Sequence, residues 1–319
     1  MSKFKAWISA ARLRTLPLSV SGIIVGASLG NRQQILELTE YSDSKYDGLI
    51  SLVNHNVWVL SLFWLAILAT IGFQVLSNFA NDYGDGLKGT DDKREGEKRL
   101  IASGIILPKQ MKHAMVLTTV ITLGVAIALI YKAFGREDII FFLLFFGLGV
   151  ASVVAAIKYT VGKNAYGYSG LGDVFVFLFF GVISVLGSYF LFTHNIQWEL
   201  ILPATCIGLL SMAVLNLNNM RDFENDARHN KRTMVVKIGM KKAKIYHYSL
   251  LIIAMLSAFI YTLLHYRSPE QFIYSIAFIP LLLNMKAVYY NKEPRLMDSE
   301  LKKVALSTFL FAILFSLLH

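Results

Sequence analysis

The chain has 319 residues, 55% of them hydrophobic and only 16% charged, against about 25% charged in an ordinary soluble domain. Its mean hydropathy is +0.53, and apolar runs of roughly 20 residues, the length that crosses a bilayer, recur from end to end. A soluble globular domain, a secreted disulfide scaffold and a disordered chain are excluded. The one cysteine, Cys206, lies inside an apolar run, so no internal disulfide or zinc–cysteine cluster can form. The net charge of +10 is confined to the segments between the apolar runs, which argues against nucleic acid as a partner. The composition is that of an all-α, polytopic protein of the lipid bilayer.

In chain order, the opening M-S-K-F-K-A-W-I-S-A-A-R lacks a signal-peptide core and reads as an interfacial helix, with Trp7 at the headgroup boundary. Transmembrane helices are predicted over residues 13–31, 57–83, 108–131, 138–158, 170–193, 198–220, 245–265, 270–291 and 301–318. The polar stretch 31–56 reads as a surface loop, and Gly147 and Gly149 as sites of close helix packing. No proline- or serine-rich linker divides the chain, so residues 1–319 form one domain. The amino-terminal tail and the loops after spans two, four, six and eight hold 26 of the 31 Lys and Arg residues, and the other loops hold 5. By the inside-positive bias the amino terminus is expected in the cytoplasm and His319 on the opposite face.

Two acidic segments resist a purely structural reading. The first, N-F-A-N-D-Y-G-D-G-L-K-G-T-D at 78–91, ends predicted span two. On a helix Asn78, Asp82 and Asp85 share a face, and Asn81 and Asp85 stand one turn apart. The second, N-L-N-N-M-R-D-F-E-N-D at 216–226, ends span six, with Asp222 and Asp226 at i, i+4 and Asn218 a turn earlier. Like charges at that spacing repel, and a divalent cation reverses the sign. Mg²⁺ is commonly held by one or two carboxylates with waters and phosphates. Two such clusters at equivalent helix ends suggest two halves of one site, whereas Asp92, Glu95 and Glu97 read as solvated loop residues. Lys88, Arg99, Arg221, Arg228 and Lys231 surround the clusters, partly as the inside-positive signal, and could clamp a diphosphate. Between spans four and five, K-Y-T-V-G-K-N-A-Y-G-Y-S-G-L-G-D at 158–173 offers Lys158, Tyr159 and Lys163 to a phosphate or an aromatic acceptor. Tyr166 and Tyr168 read as interfacial. No zinc, Walker or dinucleotide motif is present.

These residues resemble the aspartate-rich motifs of the UbiA-type intramembrane prenyltransferases. Asn81 and Asp85 fit the first motif, N-x-x-x-D-x-x-x-D, up to its last position, which here is Gly89; Asp222 and Asp226 fit the second, D-x-x-x-D. The string N-D-Y-x-D-x-x-K-G-T-D is similar to the menaquinone branch, in which Asp91 would replace the missing ligand. A-R-L-R-T-L-P at 11–17, Y-G-Y-S-G-L-G-D-V at 166–174 and V-V-K-I-G at 235–239 resemble the same branch, and Tyr159 and Lys163 meet the superfamily's Y-x-x-x-K. The resemblance implies nine transmembrane helices around a central cavity open to the cytoplasmic side, in a bacterial cytoplasmic membrane. It implies Mg²⁺ as cofactor, bound by Asn81, Asp82, Asp85, Asp91, Asp222 and Asp226. It implies polyprenyl diphosphate and 1,4-dihydroxy-2-naphthoate as substrates, joined with loss of CO₂ to give demethylmenaquinone. Asp85, Asp222, Asp226 and Tyr159 would be catalytic. Lys88, Arg99, Lys163, Arg221 and Arg228 would bind diphosphate, and Arg14, Asn78, Lys158 and Asn218 would contact substrate. Other aromatic acceptors, 4-hydroxybenzoate or homogentisate, are the alternatives within the superfamily. A secondary transporter is the rival outside it, disfavoured because both clusters sit at helix ends rather than mid-membrane.

Overall fold

The computed structural model describes residues 2–40, 45–89 and 100–319. Asp91 and Arg99 of the expected site, and Asp92, Glu95 and Glu97, lie outside the described residues. Among the described residues the secondary structure is helical, with no strand, and nine helices are long and apolar enough to cross a membrane. A short helix, Lys3–Ala11, precedes span one, Leu16–Glu40, and span two, Lys45–Leu87. Spans three and four are Pro108–Phe134 and Ile139–Lys158. Spans five to nine are Gly172–Thr193, Trp198–Arg221, Met234–Leu264, Pro269–Tyr290 and Met297–Leu318.

Every predicted span is present, and several run longer than their apolar cores. The stretch 31–56, expected as a loop, is helical over 31–40 and 45–56. Gln33, Gln34, Leu36, Glu37 and Leu38 favour helix and no proline interrupts them. Gln33 also donates to Glu37 one turn on, at 2.9 Å. Span seven begins at Met234, capped by the Thr233 hydroxyl, and bends at Gly239, whose φ of 78° suits glycine.

Span five departs most from a regular 3.6-residue helix. Phe177–Gly187 is π-helical, and this stretch is squeezed between spans one and six. A Cβ on Gly22 or Gly26 of span one would lie 2.1 Å from the hydroxyl of Ser184 or Ser188, so only glycine admits that approach. The expectation for Gly147 and Gly149 is corrected: a Cβ on Gly147 meets nothing, and Gly149 lines a cavity. The close approaches lie instead on span one, at Gly22, Gly26 and Gly30.

Spans six to nine form a solid core. Span six packs against spans five, seven and nine, burying Cys206, Ile207, Leu210 and Leu217 completely. A polar chain pins spans seven, eight and nine together. His247 Nε2 meets Asn284 Oδ1 at 2.7 Å, Asn284 donates to Glu300 at 2.8 Å, and Lys303 donates to Glu300 at 2.7 and 2.9 Å. Away from water, such side-chain bonds and close packing take over from the hydrophobic effect in joining helices.

Spans one to five instead enclose a cavity of about 370 Å³. Its lining on span two runs from Ala66 to Asn81, about 22 Å of helix at 1.5 Å per residue. Among the described residues, Leu215 is the one lining residue from spans six to nine.

Candidate functional site

The cavity's polar end lies where spans two and six finish and the loop between spans four and five folds over them. Asn81 and Tyr159 line this end. The Tyr159 ring meets Tyr166 edge-on at 5.3 Å, and Tyr166 stacks on Phe175 at 3.9 Å, which makes an aromatic wall. The wall sits close because Gly167 and Gly172 lie against Tyr159; a Cβ on Gly167 would come within 2.6 Å of the Tyr159 carbonyl. Thr160 then donates to the Ala80 carbonyl at 2.9 Å and to Asn81 Oδ1 at 3.3 Å, fixing the loop to span two.

Asp85, on the last turn of span two, is buried. The Tyr168 hydroxyl donates to its Oδ1 at 2.8 Å, and the Lys231 ammonium lies 3.6 Å from its Oδ2. The same ammonium lies 3.8 Å from Oδ1 of buried Asp226. Lys231 therefore joins an aspartate of one half of the bundle to an aspartate of the other. Lys88 sits over the Tyr168 ring, 3.8 Å from its centroid, and donates to the Thr160 carbonyl at 2.8 Å. Burial lowers the Lys88 pKa, the Asp85 charge opposes that fall, and Lys231 adds to it. The loops are tied as well: Arg232 N–H donates to the Tyr168 carbonyl at 3.0 Å, and Lys237 to the Ser169 carbonyl at 2.7 Å.

Asp222 stands at the break between span six and the short helix Phe223–Arg228. Arg221 grips it through Nε at 2.8 Å and Nη2 at 2.9 Å, also donates to Asn218 at 2.7 Å, and reaches Asp298 at 2.6 Å. Asp298 accepts in turn from Arg14, at 3.4 Å. The segment entering span one and the start of span nine thus brace the end of span six through Asp298, while the planar fork of Arg221 suits bidentate pairing with Asp222.

Several expected site residues have other partners. Asp82 accepts from the backbone N–H groups of Leu100 and Ile101, at 3.2 and 3.4 Å, and so anchors the segment entering span three. Although it shares a helix face with Asp85, both of its carboxylate oxygens are taken up by these two N–H groups. Asn78 donates to the Ala11 carbonyl at 2.9 Å and to Thr15, holding the amino-terminal helix rather than facing the cavity. Arg228 pairs with Glu224 at the surface, at 3.3 Å, with both side chains about two-thirds exposed. Lys158 and Lys163 are exposed. Arg14, Asn218 and Arg221 belong to the brace on Asp222. Sequence reasoning passed over Tyr168, read as interfacial, over Asp298, and largely over Lys231. Tyr168 lies in the glycine-bounded loop motif, and Lys231 follows Asp226 by five residues, so both carried a signal; Asp298 carried none.

The donor set fits Mg²⁺. Among the described residues no three Asp, Glu, His or Cys side chains converge as a metal cage. The carboxylates of Asp85 and Asp226, brought to one ammonium from two halves, instead suit a hard cation shared with waters and phosphate oxygens.

The chain is a nine-span membrane protein that gathers carboxylates and cations beside the polar end of an apolar cavity. Residues 48–313 match the model of the UbiA prenyltransferase family. The chain is 38% identical over 316 residues to the 1,4-dihydroxy-2-naphthoate octaprenyltransferase of Haemophilus influenzae, covering 99% of this chain and 96% of that one. It is 36% identical over 319 residues to the Escherichia coli protein of the same name, with the same coverage. A UbiA homolog from Archaeoglobus fulgidus, solved with GPP and Mg²⁺, shares the fold with a TM-score of 0.60 at 13% identity, over 97% of this chain and 99% of that one. The chain belongs to the UbiA prenyltransferase family.

Proposed function

We propose that this protein transfers a polyprenyl chain from polyprenyl diphosphate to 1,4-dihydroxy-2-naphthoate with Mg²⁺ as cofactor. The observation that carries the reading is the convergence of Asp85 and Asp226 on Lys231, beside the polar end of the apolar cavity. The names of the two bacterial relatives support the naphthoate as acceptor. Bound Mg²⁺ would supply positive charge to the diphosphate as it leaves.

The chain's own residues do the rest. Asp85 and Asp226 hold the metal; Asp222, bonded to Arg221 through both oxygens, keeps lone pairs for a further contact. Lys88 and Lys231 neutralise phosphate oxygens. The cavity between spans one and five takes the apolar chain out of water. The aromatic wall of Tyr159, Tyr166 and Phe175 positions the flat acceptor over the allylic carbon. The allylic C–O bond breaks, a C–C bond forms at the ring carbon bearing the carboxylate, and CO₂ and diphosphate leave. Purified protein in detergent with Mg²⁺ and a long-chain prenyl diphosphate is expected to prenylate the naphthoate with release of CO₂. Turnover of 4-hydroxybenzoate alone would overturn the acceptor, and gradient-driven flux without any prenyl transfer would favour a transporter.

The 26-to-5 charge asymmetry supports a cytoplasmic amino terminus and site. A reporter inserted near Lys231 is expected in the cytoplasm and one after His319 on the opposite face. Cytoplasmic signal from both would reject this orientation.

A further inference from the structure

Asp85 and Asp226 come from opposite halves of the bundle, and each is nearly removed from solvent. Buried like charges disfavour one another, so a cation set between them holds the halves together. Lys231 is placed to do this, at 3.6 and 3.8 Å. Those distances exceed the roughly 2.7–2.9 Å of a directed charge-assisted hydrogen bond. Neither of these two carboxylates thus holds Lys231 by a short directed bond. Its ammonium is a point charge on a flexible four-carbon stem, able to move without disturbing the backbone. The Tyr168 ring, anchored on Asp85 through its hydroxyl, faces the same ammonium at 5.3 Å and offers it a surface along which to swing.

Resting on the reading of Asp85 and Asp226 as Mg²⁺ ligands, we propose that Lys231 is a resident cation that Mg²⁺ displaces from the two carboxylates and that then moves onto the diphosphate. A divalent ion and an ammonium cannot share two buried carboxylates at close range without strong repulsion. Lys231 thus lowers the affinity of the site for the metal alone and raises its affinity for the prenyl diphosphate. A lysine that only clamps the diphosphate has the second effect without the first, so the two roles are separable. The arrangement also sets an order: the metal frees the cation that the diphosphate then meets.

The test is a thermal-unfolding titration of the purified protein with MgCl₂ alone, wild type against Lys231→Met and Lys231→Gln. The half-saturating Mg²⁺ concentration is expected to fall by about five- to tenfold in the variants, the low end of the ordinary range of coupling between sites, while KM for prenyl diphosphate rises. An unchanged or higher half-saturating concentration, with Mg²⁺ still stabilising both proteins, overturns the proposal and leaves the metal reading standing. No Mg²⁺-dependent shift in either protein removes the metal reading and the proposal with it. A second measurement needs only the wild type: acylation of Lys231 by an amine-selective reagent, followed by mass spectrometry, is expected to speed up severalfold on adding Mg²⁺. A rate that Mg²⁺ slows or leaves unchanged overturns the proposal even if neither variant folds.

Discussion

Asp85→Asn and Asp226→Asn are each expected to cost at least about a hundredfold in prenyl transfer, the scale on which removing one preorganised electrostatic group is felt. The substitution keeps the size of the side chain and removes one negative charge from beside the Lys231 ammonium. The fold should survive, because neither carboxylate belongs to the packed apolar cores, and the introduced amide keeps an oxygen able to accept a hydrogen bond. The double variant should lose far less than the product of the single losses, since the two residues act as one unit. Initial rates across a Mg²⁺ series, with melting temperature as folding control, provide the check. Near-normal turnover of either single variant at ordinary Mg²⁺ would remove the two-halved site.

Arg221→Met is expected to destabilise the protein by about 3–5 kcal/mol, the usual cost of stripping one partner from a buried ion pair. The Arg221 side chain is 2% exposed and Asp222 6%, so water cannot replace the lost fork. Asp298, 39% exposed, would recover some solvation, and Asp222 would carry most of the penalty. Arg221→Lys keeps the charge but cannot grip both oxygens of Asp222 while reaching Asp298, and should fall between. Thermal unfolding of both variants in the same detergent is the measurement. A melting temperature for Arg221→Met equal to wild type would show that the brace contributes nothing to stability.

The membrane architecture was legible because a bilayer imposes a simple rule on composition, and nine apolar runs obey it. Helix ends were less so: Leu16–Glu40 and Lys45–Leu87 continue past their apolar cores, where propensity rather than hydropathy decides. The π-helical stretch of span five was invisible, since neither hydropathy nor propensity marks it, and the close approach of Gly22 and Gly26 to Ser184 and Ser188 shows only in the fold. Spacing placed Asp85 at the end of span two and Asp222 and Asp226 just after span six, where the helices do finish. It did not separate Asp82 from Asp85, because only the fold reveals that Leu100 and Ile101 return to claim Asp82. Arg221, expected to meet phosphate, is engaged by Asp298 from 77 residues further along the chain. Contacts of that range leave no periodic trace in a sequence.

The cavity draws its walls almost wholly from the first five spans, whereas Asp222, Asp226 and Lys231 follow the sixth. A visitor must therefore have two ends of different character to touch everything the protein offers. A greasy chain without a charged head would stop at the vestibule of one half, and a free anion would rest against the other. On the proposed reading, a molecule with both features bridges the seam, and the geography of the bundle would itself act as a filter for amphiphiles.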